Sequence, residues 1–218
     1  MPRVGALDLS MPLSSATTPV PGHPCPEFQP YHDLERDGIR NTVMRMTLHT
    51  ATHVDAPSHI VKDGVTIDNL AIDTCVGPGV RVDLRARAKP GIPITVEDLE
   101  KGGFDPACVR GKIVVLNAGW TNAHAGTPRL YHDNPFLDLD ATKAVVAAGP
   151  TAIALDFAID DTRPWPNHQV ALGAGIPLIE NLMGLERLGR DGFVLSALPL
   201  RVVGGDGAPT RAVAHVAP

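Results

Sequence analysis

The sequence predicts an α/β fold in one domain spanning residues 1–218. Three observations carry this. Gly79 to Arg87 alternates, with Val80, Val82 and Leu84 on one face and charged side chains on the other, which is the pattern of a half-buried strand. Lys112 to Leu116 is continuously apolar, as in a buried strand. Asp138 to Ala148 reads as a helix closed by Gly149, and the apolar strand Thr151 to Ile159 follows it at once, giving half of an alternating α/β unit. A chain of 218 residues, 44% hydrophobic and 20% charged, can bury a core of this size. Aromatic residues are scarce at 4%, so that core is built from Val, Leu, Ile and Ala.

Taken in order, Val4 to Leu9 reads as a first strand. The segment from Met11 to Pro26 is too rich in proline for regular structure and reads as an ordered loop. Phe28 to His32 and Asn41 to Leu48 read as strands, the second running into a histidine-rich stretch. Lys62 to Asn69 is a turn. Thr95 caps a short helix, with Asp98 reaching back to it, and Gly102-Gly103 ends it. Thr121 to Phe136 reads as a long loop whose His124, Tyr131 and His132 are surface or packing residues. Asn167-His168 precedes a loop at Gly173-Ala-Gly175. Ile176 to Glu180 is a short strand, Asn181 to Arg190 a helix, and Phe193 to Val203 the last long strand. In the closing turn, Asp206 and Arg211 read as a structural ion pair or turn lock rather than as catalytic residues.

The chemistry concentrates in His49-Thr-Ala-Thr-His53-Val-Asp55-Ala-Pro57-Ser-His59, where three histidines and one carboxylate all hold odd positions. Side chains of an extended segment alternate faces, so these residues share one. Thr50, Thr52 and Val54 favour a strand, and Pro57 opposes a helix. A straight strand would hold His49 and His53 roughly 13 Å apart, so the segment must bend or bulge for both to reach one ion. Imidazole and carboxylate together suit Zn, Mn or Fe; the absence of cysteine argues against a closed structural zinc site, and three protein ligands would leave positions open for water or substrate.

This stretch resembles the signature His-x-Gly-Thr-His-x-Asp-x-Pro-x-His of the cyclase superfamily, which includes bacterial kynurenine formamidases and isatin hydrolases. Every fixed position matches except Ala51, which stands in the glycine place. The resemblance runs from Asp8 to Arg211. It implies a swivelling β/β/α domain: a mixed, partly barrel-like sheet with outer helices. It implies that His49, His53 and Asp55 bind one divalent metal, Zn or Mn, and that Asp55, His168 and Glu180 contact a second, with Asp55 and Glu180 bridging. His59 is then the general acid and base. Val20 (where formamidases carry an aromatic residue), Phe28 and Trp120, in an Asn117-Ala-Gly-Trp120 run like the family's Thr-Gly-Trp, are the expected substrate-binding residues.

The implied activity is hydrolysis of a small amide, lactam or lactone. A lyase or cyclase acting on a polyketide-like substrate is the alternative, and a non-catalytic metal- or small-molecule-binding protein is the rival from another class. The partner is a small-molecule substrate, and family members form homodimers or homotetramers. Net charge is −5 with no basic block, which speaks against nucleic acid. There is no apolar run of membrane-spanning length and no signal-peptide pattern, and Cys25, Cys75 and Cys108 lack CxxC spacing, so the expected location is the cytoplasm. No Gly-x-Ser-x-Gly elbow, dinucleotide fingerprint or P-loop is present.

Overall fold

A computed structural model describes residues 5–216. The strands are β1 (Gly5–Asp8), β2 (Glu27–His32), β3 (Asn41–Arg45), β4 (His53–Asp55), β5 (Val76–Asp83), β6 (Pro93–Ile94), β7 (Ile113–Asn117), β8 (Phe136–Leu137), β9 (Ala152–Leu155), β10 (Leu178–Glu180), β11 (Phe193–Ser196), β12 (Gly207–Pro209) and β13 (Val213–Val216). The helices are α1 (Leu34–Asp37), α2 (Val96–Lys101), α3 (Pro106–Val109), α4 (Trp120–His124), α5 (Arg129–His132), α6 (Leu139–Ala148) and α7 (Pro166–Gly173). Nine strands form one mixed, curled sheet in the order β1-β13-β11-β5-β7-β9-β10-β4-β12. Its centre, β5-β7-β9-β10, is parallel, and the pairs on both flanks are antiparallel.

β7, β9 and β10 are buried on both faces, and the parity of their side chains divides the core in two. Val114, Leu116, Ile153, Leu155 and Leu178 pack with residues of the outer helices, among them Leu99, Leu130, Val145 and Leu172. Ile113, Val115, Ala154, Ile179 and Val54 pack on the concave side with Leu9, Leu182 and Leu195. This agrees with the α/β, half-barrel architecture expected from the sequence. The capping box of α2 forms: Thr95 accepts from the Asp98 N–H while the Asp98 carboxylate accepts from the Thr95 N–H. Asp138 caps α6, and Gly149 ends it in the left-handed conformation at φ 72°.

Several expectations are corrected. Val4 lies outside the described residues. Thr121 to Phe136 is not a bare loop: α4 and α5 occupy it and bury Thr121 and Leu130. Asn167 and His168 lie within a helix, α7, that the sequence did not predict, and the turn expected near Gly175 follows it. Asn181 to Arg190 is not a helix, because Asn181 and Gly184 take left-handed φ of 57° and 69° and leave only a 3₁₀ turn at Leu185–Arg187. The strand expected from Phe193 to Val203 stops at Ser196. The chain then turns and builds two more strands, β12 and β13, from the glycine-rich tail.

Candidate metal centre

The cluster is assembled at the junction of β4 and β10. In their antiparallel register Glu180 lies opposite His53 and Leu178 opposite Asp55. His53 and Asp55 are two apart on β4, so their side chains and that of Glu180 share one face, the face covered by α7. The alternate residues Val54 and Ile179 point into the concave core. A one-residue slip would bury the wrong set, so the core itself holds the register.

His49 is not on the strand. Asn41 to Leu48 was expected to run straight into the cluster, but β3 ends at Arg45 and the chain turns between Thr47 and Thr52. The bend passes through Ala51, whose φ is 58°. That left-handed conformation is one glycine adopts freely, which explains a glycine at this place in the signature. The turn is tied from both sides. The Ala51 carbonyl accepts from His53 Nδ1–H at 2.8 Å and from Asn181 Nδ2–H at 3.0 Å. Thr52 Oγ1 donates to the Asn181 carbonyl and accepts from the Met11 N–H, both at 2.7 Å. His49 is thereby folded back, its ring 5.2 Å from that of His53. It lies against Gly207, where a Cβ would approach the His49 ring to 2.8 Å.

His168 arrives from the first turn of α7. Asp160 sets it there: its carboxylate accepts from the Asn167 and His168 N–H groups at 2.9 Å each and from His168 Nδ1–H at 2.7 Å. His168 Nε2 is left facing Asp55 Oδ2 at 3.6 Å and Glu180 Oε1 at 3.8 Å. His59 lies in a 3₁₀ turn, Pro57–His59, rather than on the strand. Its ring stacks 4.0 Å from His49, and its Nδ1 faces Asp206 at 3.5 Å.

The electrostatics are those of a site built for cations. Asp55 is buried, and its Oδ1 is 2.6 Å from His49 Nδ1 and 3.1 Å from His53 Nε2. Burial works to raise its pKa, but the charge on His53 and the imidazoles of His168 and His49 beside it outweigh burial and hold the carboxyl well below its ordinary range. Glu180 is pushed up by burial and by the charge of Asp55. Burial opposes a charge on His49 and His168, yet Asp55 and Asp206 drive His49 to about 9, and Asp160 and Asp55 drive His168 to about 10. Two buried acceptor atoms, Asp55 Oδ2 and Glu180 Oε1, have no hydrogen-bond partner among the described residues. Unpaired buried carboxylate oxygens are costly, and a divalent cation between them is the natural partner. One donor atom each from His53, Asp55 and Glu180 lies within 4.8 Å of the others, and the same holds for His49, Asp55 and His59. The donor set fits a divalent ion. His53 donates Nδ1–H to the Ala51 carbonyl, and this tautomer leaves Nε2 able to ligate an ion.

The remaining sequence candidates fall elsewhere. Trp120 is 7% exposed and sits in the helix-side core, its Nε1–H donating to the Leu130 carbonyl at 3.0 Å. Phe28 stands half-buried on the β2-β3 hairpin opposite Met44. Val20 is in the proline-rich loop, whose His23 faces Thr47, where the chain starts its turn towards His49, at 3.4 Å. Burial and the charges on His49 and His53 push His23 down. Asp206 does not pair with Arg211. Its Oδ2 lies 2.9 Å from His49 Nε2, while Arg211 Nε–H donates to Asp8 at 2.9 Å. Asp206, Asp160 and His23 were not legible as site residues. Tyr131, expected at the surface or in packing, has a buried hydroxyl whose pKa is pushed up by burial and by the nearby charge of Glu180.

Comparison with known proteins extends the same picture. The Cyclase family model matches residues 7–161. The chain belongs to the Cyclase family. A kynurenine formamidase of Salinibacter ruber is 32% identical over 97% of this chain and 98% of its own length. Another, of Sphingopyxis alaskensis, is 30% identical over 94% of this chain and 95% of its own. Isatin hydrolase A of Ralstonia solanacearum shares the fold, with a TM-score of 0.85 at 20% identity over 98% of this chain and 92% of that one. The comparisons place this member of the family among hydrolases of carbon–nitrogen amide bonds.

Proposed function

We propose that this chain is a metal-dependent hydrolase that opens a small aryl formamide, lactam or related ester. The observation that carries the reading is the register-locked face of His53, Asp55 and Glu180 with its two unpartnered carboxylate oxygens. His49, His53 and Asp55 would hold one Zn or Mn ion. Asp55, His168 and Glu180 would hold a second, with Asp55 and Glu180 shared. When bound, a divalent ion acidifies water and polarises a carbonyl oxygen. The protein's own proton carrier is His59, the exposed member of the cluster. Burial and the charges on His49 and His168 lower its pKa, so it is neutral near pH 7 and ready to accept a proton. With Nδ1 facing Asp206, its Nε2 is free to take a proton from the attacking water and return it to the leaving nitrogen as the C–N bond breaks.

The test is turnover of N-formylanilines, isatin and simple lactones with added Zn or Mn in oxygen-18 water. One labelled oxygen in the product, abolished by Asp55→Asn and reduced about 10²-fold or more by His59→Ala, supports the reading. Product without label points to the lyase or cyclase alternative. Full turnover in the His59→Ala variant removes its assigned role, and no turnover of any substrate leaves a binding protein.

The reading includes a homo-oligomer. The β2-β3 hairpin pairs with no other strand among the described residues, and it exposes Tyr31, Val43 and Met44 beside Leu34 and Ile39. An apolar arm of this kind suits a second copy of the chain, and a monomer in light scattering would contradict it. Free cysteines fit a cytoplasmic setting. No helix among the described residues is long and apolar enough to cross a membrane.

A further inference from the structure

An exposed aromatic side chain edges the cluster. Trp165 immediately precedes α7, three residues before His168. Its ring centre is 6.5 Å from that of His168, which is 5.9 Å from His59, which is 4.0 Å from His49. Along this row His168 and His49 are largely enclosed, whereas His59 and Trp165 are exposed. The accessible side of the cluster is therefore bounded by an imidazole at one end and an indole at the other.

Trp165 leaves 37% of its surface open, so part of the indole is reachable from solvent. It also holds a left-handed backbone conformation, φ 64° and ψ 57°. Its placement is firm: Trp165 N–H donates to the Thr162 carbonyl at 3.2 Å, and its own carbonyl accepts from the Gln169 N–H at 3.0 Å. Asp160 locks the next turn through Asn167 and His168. The guanidinium of Arg163 lies 5.9 Å from the centre of the indole, within cation–π range. The loop residue Val20, by contrast, offers no aromatic face.

We propose that Trp165 is the platform on which the ring of the substrate lies, and that Arg163 beside it receives an acidic group on that ring. The preferred ligand is then a planar aryl compound bearing a carboxylate next to the nitrogen that is acylated or released. This assignment rests on the hydrolase reading of the adjoining cluster. Offset or edge-on packing of two rings favours a flat aromatic over a saturated ring of the same size. Guanidinium matches a carboxylate in shape and charge.

The test reads binding, not turnover. Metal-loaded protein is titrated by calorimetry with 2-aminobenzoate, with cis-2-aminocyclohexanecarboxylate and with aniline. The wild type should bind 2-aminobenzoate about tenfold or more tightly than its saturated counterpart. Trp165→Ala should erase that preference, and Trp165→Phe should keep most of it. Arg163→Gln should weaken both carboxylates by about tenfold and leave aniline unchanged. Unaltered metal content in each variant shows that the fold and the cluster persist. A wild type without the preference, or a Trp165→Ala variant that retains it, overturns the assignment. The hydrolase reading is judged separately by metal content and by turnover of isatin, so failure of one is distinguishable from failure of the other.

Discussion

Replacing Asp206 separates two accounts of the closing turn. Read locally, Asp206 belongs with Arg211, and losing it should disturb only the turn. In the structure its Oδ2 is 2.9 Å from His49 Nε2, and His49 Nδ1 in turn faces Asp55. Asp206 thus orients from behind the ring of His49, a proposed metal ligand. Carboxylates in that position typically contribute 10- to 100-fold to metal affinity, that is about 1.4 to 2.7 kcal/mol. The side chain of Asp206 is 49% exposed, so solvent screening puts the expected effect at the lower end, about tenfold. Competition of Zn against a fluorescent chelator should therefore show Asp206→Asn binding about tenfold more weakly than the wild type, and Arg211→Gln binding normally. Equal affinity in wild type and Asp206→Asn, or equal losses in both variants, would refute the reasoning.

Other outcomes follow from the same geometry. At Ala51 the left-handed strain that glycine would relieve is about 1 kcal/mol, and glycine's extra freedom in the unfolded chain offsets most of it, so Ala51→Gly should stay within about 0.5 kcal/mol of wild type in urea unfolding. Ala51→Val places a branched side chain at a φ of 58° and should lose about 2 kcal/mol or more, with weaker metal retention because the Ala51 carbonyl orients His53. His49 and His168 stand at about 9 and about 10 without metal, while ligation needs neutral imidazole, so Zn uptake at about pH 7 should release protons and tighten as pH rises. Calorimetry in buffers of different ionisation enthalpy would show this, and buffer-independent heats would contradict it. Burial lifts Asp156 to about 7 against the backbone N–H groups of Ala118 and Gly119 that favour its ionised form. Its folded pKa is raised, so its contribution to stability is complete below about pH 4 and lost as pH rises through about 7. Asp156→Asn should remove that pH dependence in urea titrations and cost about 1–3 kcal/mol at about pH 5, because its amide cannot accept both N–H bonds.

How much of this could be read beforehand depends on the range of each interaction. The capping box of Thr95 and Asp98 and the ends of α6 at Asp138 and Gly149 are local, and they form where the sequence placed them. Odd parity correctly groups His53 and Asp55, which share β4. His49 and His59 join them for other reasons, a left-handed turn at Ala51 and a 3₁₀ turn after Ala56. The need for a bend was legible in the reach of an extended strand; its position at Ala51 was visible only as a small residue in a glycine place. The misplaced helix after Asn181 shows the opposite case. Its pattern suits a helix, but Asn181 is held left-handed while its side chain bonds the Ala51 carbonyl 130 residues away. Asp206 escapes local reading in the same way, since its partner His49 is 157 residues distant. Asp160 left a trace: an acid eight residues ahead of His168, at the start of a helix whose first N–H groups need an acceptor.

The most direct test of a metal-dependent site is metal content per protomer, measured by mass spectrometry after dialysis against a Zn and Mn mixture. The account predicts one or two tightly held ions in the wild type and their loss in His53→Ala, whose ring supplies Nε2 beside Asp55 and Glu180. Wild-type protein that retains no ion, or His53→Ala that retains as many as wild type, would contradict it.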